Sequence, residues 1–171
     1  MEFFKIVGLG LAAAVGYGIV HDQITARVCV EYFTVGHPPL IESTSPTLLA
    51  LAWGVVATWW VGLPLGVALA VSARAGIRPK TSAADLVPRV LKLLGVMALS
   101  ALAAGITAYV LAERGSLTLV GGWGDTLRFG LHSRFLADLW AHNASYLSGI
   151  VGGLVLVALT YRRRRILVGA A

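Results

Sequence analysis

Four apolar stretches dominate the 171-residue chain, at about residues 3–20, 47–73, 90–112 and 143–161. A helix rises 1.5 Å per residue, so about 20 mostly apolar residues cross the hydrocarbon of a bilayer. The first and last stretches reach that length by continuing into their polar flanks. In lipid, backbone groups must bond to one another, so such segments fold as helices. The expected fold is all-α: an integral membrane four-helix bundle in a single transmembrane domain, with outer loops at about 21–46 and 113–142. Only 13% of the residues are charged, against roughly 25% in an ordinary soluble domain. The first stretch reads as an uncleaved helix. Small residues at 12–15 would suit a leader peptidase, but Glu2 breaks the basic start of a secretory leader.

Charge sets the expected orientation. Four spans place both termini on one side, with Lys5, Arg74, Arg78, Lys80, Arg89, Lys92 and Arg162 through Arg165. Only Arg27, Arg114, Arg128 and Arg134 fall on the other. Positive charge accumulates in the cytoplasm, so both termini are expected there. The net charge of +6 is then a topology and lipid-headgroup signal, and nucleic acid is not an expected partner. This partition puts His21, His37, His132 and His142 on the outer, periplasmic side. Six of the eight acids join them: Asp22, Glu31, Glu42, Glu113, Asp125 and Asp138.

Inside the spans, small residues recur at helix-contact spacing: Gly62 and Gly66, Ala98 to Ala108 through Ala101 and Gly105, and Gly149 with Gly153. Pro64 predicts a kink in the second span, with Trp59 and Trp60 filling space beside it. Ser82 and Asp85 have capping-box spacing. No ionisable residue stands at the middle of a span, which weighs against ion coupling through the bilayer. A transport path would need a homo-oligomer.

The chemistry concentrates in "HDQITARVCVEYFTVGHP", residues 21–38, and in residues 125–142. The first and last helices run antiparallel, so His21 and His142 come to equal depth where polar sequence meets apolar sequence. A lower level then contains His21, Asp22, Asp138 and His142. An upper level, ten residues outward, contains Glu31 and His132, with His37 as a possible link. Imidazole with carboxylate suits Zn, Fe or Mn, so the lower four are the expected metal ligands. Glu31 and His132 are the expected acid–base pair for hydrolytic or redox chemistry at the outer leaflet. Bis-histidine haem is a second use of His21 and His142, and acid–base catalysis without metal a third. The competing reading is a hydrogen-bond network in a non-catalytic assembly factor or small subunit of a larger membrane complex. There Arg27 would pair with Glu31, and Arg134 with Asp138. Cys29 has no His at helical spacing to activate it as a nucleophile.

Two partial motifs fail. "HSRFLADLWAH" has the Ser-Arg and His of a membrane lipid phosphatase, but His142 stands two residues too far and the Pro-Ser-Gly-His element is absent. "GLGLAAAVG" opens a span and follows no strand, so it is no dinucleotide loop. The order His-Asp-Gln, Glu-Tyr-Phe-Thr, His-Pro within residues 17–38 resembles a pattern in small uncharacterised bacterial inner-membrane proteins. That resemblance covers about an eighth of the chain and implies a bacterial inner membrane, with no activity attached.

Overall fold

The computed structural model describes the backbone of residues 1–169 and the side chains of residues 1–164. The order is α1 (Glu2–Val28), α2 (Glu31–Thr34), α3 (Pro46–Val56), α4 (Trp59–Arg74), α5 (Ala83–Glu113), α6 (Trp123–Thr126), a 3-10 turn (Phe129–Leu131) and α7 (His132–Gly169). Four helical segments are long and apolar enough to cross a membrane: Glu2–Val28, Pro46–Arg74, Ala83–Glu113 and Phe129–Arg164. The chain is a multi-pass membrane protein built as a helical bundle. α1 packs along α3 and α4, α5 packs along α7, and the two pairs close on each other through α4–α7 and α1–α5 contacts.

Small residues set those contacts, as their spacing predicts. Gly10 of α1 meets Gly66 of α4, Ala14 meets Gly62, and Gly18 meets Gly54. A Cβ at Gly54 would run into the backbone of Ile19. Gly105 of α5 faces Ala137 and Ala141 of α7. In lipid, this close approach replaces the hydrophobic drive available in water.

One end of the bundle is closed by satisfied polar groups. Ser82 and Asp85 form the expected capping box on α5. Glu2 accepts the Ala83 N–H at 3.1 Å, tying α1 to α5. Arg164, only 2% exposed, donates to the carbonyls of Ser72, Ala75, Arg78 and Pro79. A helix leaves its last carbonyls unpaired. Arg164 takes up that need for α4, where Gly76 at φ +77° turns the chain away.

Pro64 stays inside α4. The second span is interrupted at Ala57 and Thr58, between α3 and α4, a break that the sequence does not announce. There the Thr58 hydroxyl donates to the Gly54 carbonyl at 2.6 Å, and Tyr146 donates to the Ala57 carbonyl at 2.9 Å. Side chains thus compensate the interrupted ladder, and the gap lines a cavity. Trp59 and Trp60 follow the break and lie half-exposed on the outside, so they fill no interior space. The loops are also shorter than expected, because α1 runs to Val28 and α7 starts at His132.

Candidate metal centre

His21 and Asp22 belong to α1, and His142 belongs to α7. His21 is seven residues inside the end of α1, and His142 is ten inside the start of α7, about 10 and 15 Å along the axes. The cluster therefore lies within the bundle, deeper than the polar rim expected from the sequence. One potential ligand atom from each of His21, Asp22 and His142 lies within 4.8 Å of the others. Asp22 and His142 are buried. Tyr32 stacks on His142 at 4.4 Å, and Tyr17 stacks on His21 at 5.6 Å. The two imidazoles meet edge to face at 4.6 Å.

The bonding of His142 defines the chemistry. Its Nδ1 lies 2.7 Å from the Asp138 backbone carbonyl. A carbonyl only accepts, so Nδ1 carries the proton and Nε2 holds the lone pair of the neutral ring. That lone pair faces Asp22 Oδ1 at 3.3 Å. Two acceptors at this distance need a cation between them. A proton satisfies these two alone and leaves the buried His21 Nε2 without a partner. His21 offers a ligand atom within 4.8 Å of those of Asp22 and His142, so an ion between these two would find a third donor after a small shift of the His21 side chain. Ligands at 2.0–2.1 Å in tetrahedral geometry stand about 3.3 Å apart, the spacing His142 and Asp22 already hold. The carbonyl on Nδ1 is also the outer contact that usually orients a metal-bound histidine.

A cavity of about 110 Å³ adjoins the cluster. His21, Asp22, His142, His37, Trp53 and Tyr146 are among the residues that line it. His37 donates from Nδ1 to the Tyr32 carbonyl at 2.8 Å and packs against Trp53 at 4.9 Å between ring centres. The Trp53 Nε1–H is buried with no partner. Tyr17 and Ser145 hydroxyls share a bond of 2.9 Å on the same wall. The space holds several waters or a small head group. Were His21, Asp22 and His142 to hold an ion, the adjoining space would leave a fourth position for water or substrate, as in catalytic zinc sites.

The remaining predicted residues stand elsewhere. Asp138 lies outside the three-residue group. Its carboxyl is 1% exposed, beside the Cys29 N–H, and Oδ2 has no partner. Only its backbone carbonyl reaches His142. Glu31 accepts from the Cys29 thiol at 3.5 Å. His132 donates to the Leu127 carbonyl at 3.2 Å and packs on Phe129. Neither lines the cavity. The ten-residue offset assumed continuous helix, but α1 ends at Val28 and the chain turns through Cys29 and Val30 into α2. His37 moves the opposite way, from the expected upper level onto the cavity wall. The expected Arg27–Glu31 pair is replaced by bonds from Arg27 to Gln23 and Thr47. Burial pushes the Cys29 thiol up to about 12, with the Asp138 charge adding to the effect. Burial likewise raises the Tyr32 phenol.

Sequence reasoning missed Trp53, Tyr17, Ser145 and Tyr146. Helix spacing marks three of them: Tyr17 is four residues before His21, and Ser145 and Tyr146 are three and four after His142. No family model, curated protein or solved structure matches the chain.

Proposed function

We propose that the protein binds one divalent transition metal, Zn, Fe or Mn, through His21, Asp22 and His142, on the periplasmic side of a bacterial inner membrane. Both termini are cytoplasmic in this reading, which the Lys and Arg distribution supports. The three residues adjoin the cavity, and an ion held there would supply either activation of a bound water for hydrolysis or, as Fe or Mn, electron exchange with a substrate. The observation that carries the proposal is the pair of facing acceptors, His142 Nε2 and Asp22 Oδ1, beside the unpartnered His21 Nε2. One cation would meet the needs of the facing pair, and His21 has a ligand atom within 4.8 Å of both groups.

The test is elemental analysis of the protein purified in detergent without chelators. The expected result is about one metal ion per chain, falling below a tenth of that in His21→Ala and in His142→Ala. The absorption spectrum of cobalt-loaded protein provides a second readout. It should show tetrahedral d–d bands in the wild type and lose them in Asp22→Asn, which retains side-chain volume. Metal-free wild type that also takes up no cobalt would sink the proposal. It would favour the second reading, a non-catalytic subunit in which His142 pins α7 to α1 through its bonds to Asp138 and Asp22.

A further inference from the structure

His21 lies on a boundary. Besides the cavity, it lines a lateral groove of about 700 Å³ between α1, α5 and α7. On α5 the groove runs from Leu94 to Tyr109, fifteen residues or about 22 Å. That is longer than half of a bilayer's hydrocarbon thickness of about 30 Å. Its walls are apolar, and glycines make it deep. A Cβ on Gly16 or Gly95 would meet nothing within 4 Å. Five polar side chains interrupt the apolar lining: the hydroxyls of Tyr17, Thr25 and Tyr109, the His21 imidazole and the Asp138 carboxyl. Asp138 is buried and His21 half-buried, and each has one buried atom without a partner, Asp138 Oδ2 and His21 Nε2. An unpaired carboxyl oxygen at 1% exposure is costly in a folded protein. Placed at the wall of an apolar groove, it needs a hydrogen-bond partner that arrives with an apolar body.

We propose that this groove admits a long-chain lipid with a hydroxyl head, taken sideways from the bilayer. The chain lies between α1 and α5, and the hydroxyl donates to Asp138 Oδ2. The head then rests beside His21, on the wall shared with the cavity. This rests on the metal reading for its purpose, because His21 is also a proposed ligand: the occupant is the substrate class of that centre. It accounts for the separation of Asp138 from the other three residues. Asp138 positions the head group, and His21, Asp22 and His142 hold the metal.

The test uses the full chain in phosphatidylcholine nanodiscs and hexadecanol bearing a photoactivated diazirine. Labelled residues are mapped by mass spectrometry, with unlabelled hexadecanol as competitor. Saturable labelling is expected on α5 between Leu94 and Tyr109. Leu147 and Leu154, exposed on α7, should take up label only in proportion to its concentration. Gly16→Leu with Gly95→Leu fills the groove and should reduce the saturable labelling at least tenfold while metal content stays unchanged. Asp138→Leu should weaken half-saturation by about tenfold, the loss of one buried hydrogen bond. Groove labelling that never saturates, or that survives the two leucines, overturns the proposal. So does a dimer in native mass spectrometry that excludes the label, which would make the occupant a second copy of the chain. Metal-free protein with saturable groove labelling would overturn the metal reading and leave the lipid groove standing.

Discussion

The two ends of the bundle treat buried polar groups in opposite ways. At the end formed by Glu2, Ser82, Asp85 and Arg164, each of these polar side chains is partnered. Ser82 and Asp85 cap one another, Glu2 takes the Ala83 N–H, and Arg164 covers four carbonyls. At the other end stand the three buried, unpartnered side-chain atoms found among the described residues: His21 Nε2, Trp53 Nε1 and Asp138 Oδ2. Burying a polar group without a partner costs about 1–3 kcal/mol. The fold thus satisfies one end fully and leaves three buried atoms open at the other, where the proposed site lies. The difference teaches that exposure alone is a poor guide to function here. Arg164 and Asp138 are equally hidden, and only their partners tell them apart.

The largest effect should come from the satisfied end. Arg164→Met removes the donor to four carbonyls. It should lower stability by about 3 kcal/mol, read as a drop in Tm in detergent. A neutral result would break the contrast between the two ends. Asp138→Leu should act in the opposite direction. It removes a buried carboxyl whose Oδ2 has no partner and should raise the stability of the metal-free protein by about 1–2 kcal/mol. If it destabilised the protein as Arg164→Met does, the contact of the other oxygen with the Cys29 N–H would outweigh the unpaired one. A smaller effect is expected for Trp53→Phe, which removes the unpartnered N–H and keeps an aromatic ring in the wall. Its Tm should stay the same or rise by an amount worth about 0.5 kcal/mol.

Cys29 sharpens the comparison through pH. Its folded thiol titrates near 12 against an ordinary 9. The neutral form is therefore favoured by folding, and this preference costs nothing at pH 7. Folding stability should decline as pH rises above 9, where the unfolded thiol ionises and the folded one does not. At pH 8 the folded thiolate fraction is about one in ten thousand, so alkylation by iodoacetamide should follow unfolding alone. Rapid labelling of the native protein at that pH would place Cys29 in a reactive setting, contrary to its surroundings.

Much of this fold is legible from residue order. Apolar runs near 20 residues locate the four spans, and Gly62, Gly66 and Gly105 mark close helix contacts before any coordinates are known. Ser82 and Asp85 announce the start of α5. The meeting of His21 and His142 follows from antiparallel helices and equal depth. The other parts depend on tertiary detail. Nothing in residues 46–74 points to Thr58 as the break, since Pro64 is the stronger local signal; Gly18 against Thr58 and Tyr146 against Ala57 decide it. Asp138 and His142 share a helix face, as four-residue spacing requires. Yet the backbone carbonyl of Asp138, not its carboxyl, meets His142. Glu31 and His132 were aligned by extending α1 past a turn that the sequence does not announce.

The central claim is that His21, Asp22 and His142 share one cation, and X-ray absorption at the metal edge of the purified, metal-loaded protein tests it most directly. The account predicts a low-coordinate shell of nitrogen and oxygen at about 2.0–2.1 Å, with the outer-shell scattering of two imidazoles. That scattering should fall to one imidazole in His21→Ala. A shell of oxygen alone, or a spectrum identical in His21→Ala and the wild type, would contradict it.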